Sequence, residues 1–296
     1  MKCPEQLRTL ALFVAAAIVA WFAALVATGY FVFLPARRRE SLRYYSISFP
    51  EKSALQCLWL AFRQYQSFAR VHAEHVLAKV PGGIRTTSLG YEYIQSAISE
   101  HGGGLLLMSH IGSPSIAGRE LAKRGTALTM IKANRSSSQS EVIENEVPGL
   151  RVEVKTTDAA GLGIIELRDR LRAGGVVSLT GDRVWTKGSR QIVVSVLGHT
   201  ARVAAAPFAL ALATGMPVLI CFAVRKARRT YHCECFPPVL LKADSPRERL
   251  EVQQAAAQRY ADILERYLRT YPEQWHTFER FLEEPADQNG LSVGNR

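Results

Sequence analysis

Residues 105–110 read LLLMSH: four apolar residues, then Ser109 and His110. A histidine at the carboxyl end of a buried strand stands where layered α/β proteins gather their reactive groups. Imidazole exchanges protons near neutral pH, so the chemistry that suits it is removal of a proton from a weak nucleophile as that nucleophile attacks. Such a base must be held in one tautomer, a task a carboxylate performs by accepting the Nδ1–H bond. The position five residues on, where that carboxylate would be sought, is Ser115. A serine hydroxyl can accept the bond but carries no charge, and charge-assisted bonds are roughly twice as strong. Two other acids are candidates for the role. Glu120 lies on the same helix, and Asp182 stands in Gly181-Asp182-Arg183 after a neighbouring strand. Asp182 is the better geometric choice because strand ends converge on one edge; its alternative role is a turn or a helix cap.

The elements that must position these groups alternate along the chain. Apolar residues recur at helical spacing over 51–80 and stop at Pro81-Gly82-Gly83. The pattern then predicts helices over 91–100, 115–124, 158–173, 203–214 and 246–270. It predicts strands over 104–109, 127–132, 150–154, 176–180, 191–197, 218–224 and 232–241. This alternation means an α/β fold with a mainly parallel layered sheet flanked by helices. His110 and Asp182-Arg183 both fall just past strand ends.

Residues 10–34 contain no charged residue. As a helix of about 25 residues they reach about 37 Å, enough for a hydrocarbon core of about 30 Å. The apolar run is longer than the roughly 7–15 residues of a secretory signal, so an uncleaved N-terminal transmembrane helix is the expectation. Arg37, Arg38, Arg39 and Arg43 follow it, against Lys2 and Arg8 before it. That asymmetry predicts a single-pass protein of the bacterial inner membrane with its bulk in the cytoplasm. The organisation expected is an anchor over 1–36, one domain over 37–284 and a polar tail over 285–296.

The formal net charge is +11, with 48% hydrophobic and 21% charged residues in 296. This excludes a disordered chain and a polytopic membrane protein, and it implies attraction to an anionic partner. An anionic membrane surface accounts for the charge; no nucleic-acid-binding motif is present. The five cysteines are an odd number without a disulfide framework. Cys233-Glu234-Cys235 beside His232 has no second ligand pair at metal spacing, so ordinary strand cysteines are the reading. The pair His72 and His75 reads as amphipathic filler, and Gly161-Leu162-Gly163 is an incomplete dinucleotide fingerprint.

Four stretches together resemble the bacterial lipid A biosynthesis acyltransferases of the lauroyl/myristoyl type, within the lysophospholipid acyltransferase-like superfamily. The first is the apolar N-terminal segment with ARRRESLRYY and QYQSFARVHAEHVL. The second is MSHIGSPSIAGREL, similar to the family's His-x-Gly-x-x-Glu block. The third runs from LTGDRVWTKGSRQIVVSVLGHTARVAAAPF to the Thr-Gly-x-Pro strand start, with a Gly-x-x-Ala pattern from Gly198 to Ala201. The fourth is YPEQWHTFERF. The resemblance covers roughly residues 20–285 and departs from the family's pattern at Ser115, where an acid is expected.

The resemblance implies transfer of a fatty acyl group from an acyl carrier protein or coenzyme A thioester to a hydroxyl or amine of a lipid or glycolipid. It implies no metal, no cofactor and no covalent acyl-enzyme. His110 is then the base. Backbone N–H groups after it, at Gly112 and Ser113, and the guanidinium of Arg183 are candidate donors to the oxyanion. Arg183, Lys187, Arg190 and the run Arg225-Lys226-Ala227-Arg228-Arg229 are candidate cations for substrate phosphates, and Gly198 joins the candidate substrate-binding set through its motif. The altered dyad leaves three expectations: an active acyltransferase in which Asp182, Glu120 or Ser115 serves His110; a degenerate relative that binds lipid or acyl carrier protein without turnover; or a different transfer reaction on the same fold or a basic membrane-bound binding module.

Overall fold

The computed structural model describes residues 5–77, 83–134, 141–144, 150–156, 160–183 and 189–283. Three helices come first: α1 (Glu5–Phe33), α2 (Pro35–Ser48) and α3 (Ala54–Leu77). The alternating region follows as β1 (Arg85–Leu89), α4 (Tyr91–His101), β2 (Gly103–Met108), α5 (Pro114–Lys123), β3 (Leu128–Asn134), β4 (Glu141–Glu144) and β5 (Leu150–Thr156). It continues as α6 (Ala160–Arg172), β6 (Gly175–Thr180), β7 (Gln191–Val196), β8 (His199–Ala204), α7 (Ala206–Thr214), β9 (Val218–Ala227), β10 (Thr230–Cys235) and α8 (Pro246–Thr270).

Eight strands form one sheet in the order β1-β10-β9-β2-β6-β3-β5-β4, and β7 pairs with β8 in a separate hairpin. The sheet is mainly parallel, as the alternation requires; only β10–β9 and β4–β5 run antiparallel. Strand β2 lies inside it and is buried along its whole length. Its side chains alternate between two cores, as a strand's must. Leu105 and Leu107 join the larger core with residues of α1, α2, α3, α6, α7 and α8. Leu106 and Met108 join the smaller one with Ile94 and Ala97 of α4 and Ala117 and Leu121 of α5.

Several boundaries differ from the sequence reading. The stretch 203–214 is not one helix: β8 takes residues through Ala204, and α7 starts at Ala206. Leu197 (φ 54°) and Gly198 (φ 77°) make the two-residue turn that folds β8 back on β7. Strand β10 stops at Cys235 because Pro237 and Pro238 bring no N–H to a ladder. Strands β1 and β4 and helix α2 are additions to the reading. Helix α2 is rich in arginine and polar residues, so periodicity did not mark it; Pro35 starts it and its buried face carries Tyr44 and Tyr45.

The N-terminal segment is helical, but it is not an isolated rod. Ala27 and Phe31 of α1 are buried, and Phe31 stacks edge-on against Phe62 and Tyr65 of α3. Among the described residues no single helix is long and apolar enough to cross a membrane: Ala17–Phe33 and Pro35–Ser48 meet at a bend of 89°. Trp21, Phe22, Leu25 and Phe33 are nonetheless exposed along α1. The arginines after the bend have internal partners. Arg38 caps α1 through Phe31 O (3.0 Å) and Val32 O (3.2 Å), while Arg37 and Arg43 donate to Phe278 O and Leu282 O.

Those last bonds fasten a C-terminal strap, residues 271–283, across the sheet's edge. Ile111 and Trp275 form an antiparallel bridge. The Gly112 N–H donates to Gln274 O (2.8 Å), and the His276 N–H donates to His110 O (3.0 Å). From the other side, buried Gln64 of α3 donates to Trp275 O (2.6 Å) and Tyr45 donates to Pro272 O (3.0 Å).

Candidate active site

The register of two neighbouring strands brings the site together. β2 and β6 are parallel, with Gly103 opposite Gly175 and Met108 opposite Thr180. His110 and Asp182 each lie two residues beyond the last pair, on adjacent strand ends. Their side chains meet: His110 Nδ1 is 2.8 Å from Asp182 Oδ1. An ionised carboxylate only accepts, so Nδ1 carries the hydrogen and Nε2 of the neutral ring presents a lone pair. The His110 side chain is 25% exposed, whereas that of Asp182 is wholly buried. A ring that solvent reaches thus stands on a carboxylate that solvent does not.

Asp182 is fully satisfied. Its Oδ2 accepts from Ser109 Oγ (2.7 Å), the His110 N–H (2.8 Å) and Trp275 Nε1 (2.9 Å). Burial by itself raises the carboxyl's pKa, but the His110 charge and the bonds from His110, Trp275 and Ser109 outweigh it and hold the group well below the usual carboxylate range. The carboxylate therefore stays ionised and is ready to balance an imidazolium that forms beside it.

The other sequence-designated residues fall in different places. Ser115 lies in the first turn of α5 and makes no side-chain hydrogen bond among the described residues. Glu120 does not approach His110: it is buried, pairs with Arg124 (2.8 Å) and accepts from Thr86 and Ser88 of β1. Burial raises its pKa, but the Thr86 and Arg124 bonds prevail and lower it. Its place is to tie α5 to the sheet edge. Ser113 is 1% exposed and caps α5, accepting from the Ile116 N–H (3.3 Å) while its hydroxyl meets His75 Nε2 (2.8 Å). A buried cap has no face for substrate.

Gly112 has a packing duty. Its φ is +62°, and a Cβ there would stand 1.9 Å from Ala223 O, so only glycine lets the loop after His110 press onto β9. The N–H groups after His110 are all committed: Ile111 to Ser109 Oγ, Gly112 to Gln274 O and Ser113 to Ala223 O. With those bonds in place, none of the three N–H groups, Gly112 and Ser113 included, is left over as a donor in this structure. Gly198 also stands apart. It forms the tip of the β7–β8 hairpin, about 13 Å of strand from Arg202, a hairpin residue that lines the cavity at Asp182 and Arg183.

That cavity, of about 550 Å³, is bounded by Asp182, Arg183, Arg202, Thr277 and Phe281 among others. Arg183 is the sequence candidate that stays in play. Among the described residues its buried Nε has no hydrogen-bond partner, with Glu279 Oε2 3.9 Å away. Arg190 is exposed next to the cavity's Gln191. Lys187 lies outside the described residues, as does the tail 285–296.

Sequence reasoning assigned no role to Ser109, Gln274, Trp275 or His276, although the first adjoins His110 and the others sit in the quoted PEQWH. His276 packs behind the pair, its Nε2 3.2 Å from Ser67 Oγ. Burial first, then the His72 and His110 charges, push its pKa down to about 3, so its ring is neutral around pH 7. The legible signal was a tryptophan and a histidine, both costly to bury, adjoining in one short polar stretch. Cys233 and Cys235 are core residues, with the Cys235 thiol against Cys221.

A layered α/β protein with a histidine–carboxylate pair at the carboxyl edge of its sheet has the layout of an enzyme that deprotonates a nucleophile. The family model for bacterial lipid A biosynthesis acyltransferases matches residues 6–283, nearly the whole chain, and the chain belongs to that family. Its class of chemistry is acyl transfer onto lipid. A search of the curated proteins finds no match.

Proposed function

We propose that this protein moves a fatty acyl chain from an acyl thioester, on acyl carrier protein or coenzyme A, to a hydroxyl or amine of a lipid or glycolipid, with His110 as general base. The observation that carries this reading is the His110–Asp182 contact of 2.8 Å in a chain whose family transfers acyl groups. His110 Nε2 takes the proton of the acceptor as its oxygen or nitrogen attacks the thioester carbonyl. Asp182 balances the imidazolium. The tetrahedral oxyanion takes a hydrogen bond from Arg183, whose Nε is unused. Collapse breaks the carbon–sulfur bond, and the imidazolium returns its proton to the departing thiolate. The buried acid at 182 does the work that the family pattern assigns to position 115, which favours an active enzyme over a degenerate one.

The protein sits at the cytoplasmic face of the bacterial inner membrane. The exposed apolar face of α1, including Trp21, Phe22 and Leu25, supports this seat. Residues 1–36 are the anchor, and the α/β body presents the cavity beside Arg183 to substrate.

Lipids extracted from cells that carry the wild-type protein, His110→Ala or neither test the reading by mass spectrometry. The expected result is an acylated lipid that needs the protein and disappears with His110→Ala, with purified activity lower by ~10²–10⁴. Wild-type acylation by His110→Ala would remove His110 from the base role.

A further inference from the structure

A second cavity, of about 570 Å³, lies between α1, α3 and the β9–β10 hairpin. Its polar wall holds Arg70, Arg225, Arg228 and Arg229 against a single carboxylate, Glu74. Glu74 is 5% exposed and its accepting capacity is used. It takes Arg225 Nε on both oxygens (3.1 Å each), the Arg229 N–H (3.2 Å) and the Tyr231 hydroxyl (2.7 Å). It therefore neutralises Arg225 and braces the hairpin. Neither the Arg70 nor the Arg228 guanidinium has a hydrogen-bond or ion-pair partner among the described residues. Among the described residues the lining holds four guanidiniums and one carboxylate.

Partial burial, and after it the charge of Arg225, lower the pKa of Arg70, which with Arg228 stays exposed at the mouth of the cavity where the cations crowd. Unpaired guanidiniums in such a space are relieved by an anion, and their forked donors match phosphoryl oxygens in pairs. The opposite wall is apolar: Ala17 and Ala20 of α1 and Ala73 and Leu77 of α3. The same α1 exposes Ile18, Trp21 and Phe22 beside that wall. A ligand that satisfies both walls has a phosphoryl group and a hydrocarbon part.

We propose that this cavity binds the phosphoryl group of a membrane lipid, with Arg70 and Arg228 as its ligands and the Glu74–Arg225 pair as their frame. The site is separate from the His110 centre and does not depend on acyl transfer. Helix α3 joins the two, since Glu74 faces the cavity and the next residue, His75, reaches Ser113. A lipid headgroup and a soluble phosphate share the recognising chemistry, so the test must separate them.

Thermal denaturation of the full chain in neutral detergent does so, because a ligand that binds only the native state raises the midpoint with the logarithm of its concentration once that exceeds Kd. Dioctanoyl phosphatidic acid should raise the wild-type midpoint in this way and dioctanoyl phosphatidylcholine should not. R70Q/R228Q should keep the unliganded midpoint and weaken phosphatidic acid by about tenfold or more, with Arg228→Gln alone intermediate. R168Q/R247Q, with the same charge change on the exposed surface, should bind like wild type. Equal weakening in both double variants would reduce the effect to diffuse charge, and an undiminished shift in R70Q/R228Q would empty the site; either overturns the proposal. Equal stabilisation by phosphatidylcholine would also overturn it. Inorganic pyrophosphate stabilising as well as phosphatidic acid would overturn the lipid assignment and make a soluble anion the ligand.

Discussion

Asp182 and Glu120 are the two buried acids that the sequence put forward as partners for His110, and their surroundings differ in kind. Glu120 faces a guanidinium, whose charge is permanent. Asp182 faces an imidazole and three donors that carry no charge of their own. A carboxylate already balanced by arginine gains little when a nearby base takes a proton. A carboxylate held ionised by neutral donors gains a full charge partner at that moment. Burial is common to both; the identity of the partner decides which acid can support a proton transfer and which only fastens a helix.

The contrast is broken hardest at position 182. Asp182→Asn should lower kcat by ~10³–10⁴, because an amide can hold the wrong tautomer and cannot balance the imidazolium. Glu120→Gln should leave kcat within about threefold of wild type and instead cost about 1–3 kcal/mol of stability, read by denaturant melts. A collapse of kcat in Glu120→Gln with an unchanged melt would reverse the assignment. Trp275→Phe removes one of four donors to Asp182 while keeping an aromatic body, so a fall of about tenfold in kcat is expected in steady-state assays. Recovery of wild-type kcat in that variant would mean that the indole bond is idle.

Acid sharpens the same contrast. His276 is neutral when folded and has a native pKa of about 3, so an unfolded chain binds its proton more readily. The stability it contributes is whole above pH 6.5 and is lost as pH falls from there to about 3. Asp182, held low, acts in the same direction at more acid pH, with stability present above the ordinary carboxylate range and lost below it. Melting midpoints from pH 7 to 4 should therefore fall less steeply in His276→Gln than in wild type. The smallest effect belongs to Ser115→Ala: its hydroxyl has no hydrogen-bond partner among the described residues, and kcat should change by less than about twofold.

Much of the fold was legible because it is local. The uninterrupted apolar run of β2 marks a strand buried on both faces, and α8 runs from Pro246 to Thr270 as its periodicity and Ser245 cap require. Strand β8 is not marked by the sequence pattern, and its last two residues, Val203 and Ala204, read as part of the alanine-rich helix that follows, since the hairpin partner, not composition, makes them a strand. At the site, His110 stood out by position, and Ser115 by what was missing there. Arg183 was nameable from its motif, but its orphaned Nε was not.

The sequence alone therefore determined the alternating α/β order, the apolar N-terminal helix, the histidine past a buried strand and the family. Only the tertiary structure decided which acid meets that histidine, since Asp182 and His110 are 72 residues apart in the chain. Their meeting depends on the parallel register of β2 with β6 and on a strap that delivers Trp275 from the far end of the chain. Local patterns report which face of an element is buried. Register and strap placement follow from packing against distant segments, and no short stretch of sequence carries that information.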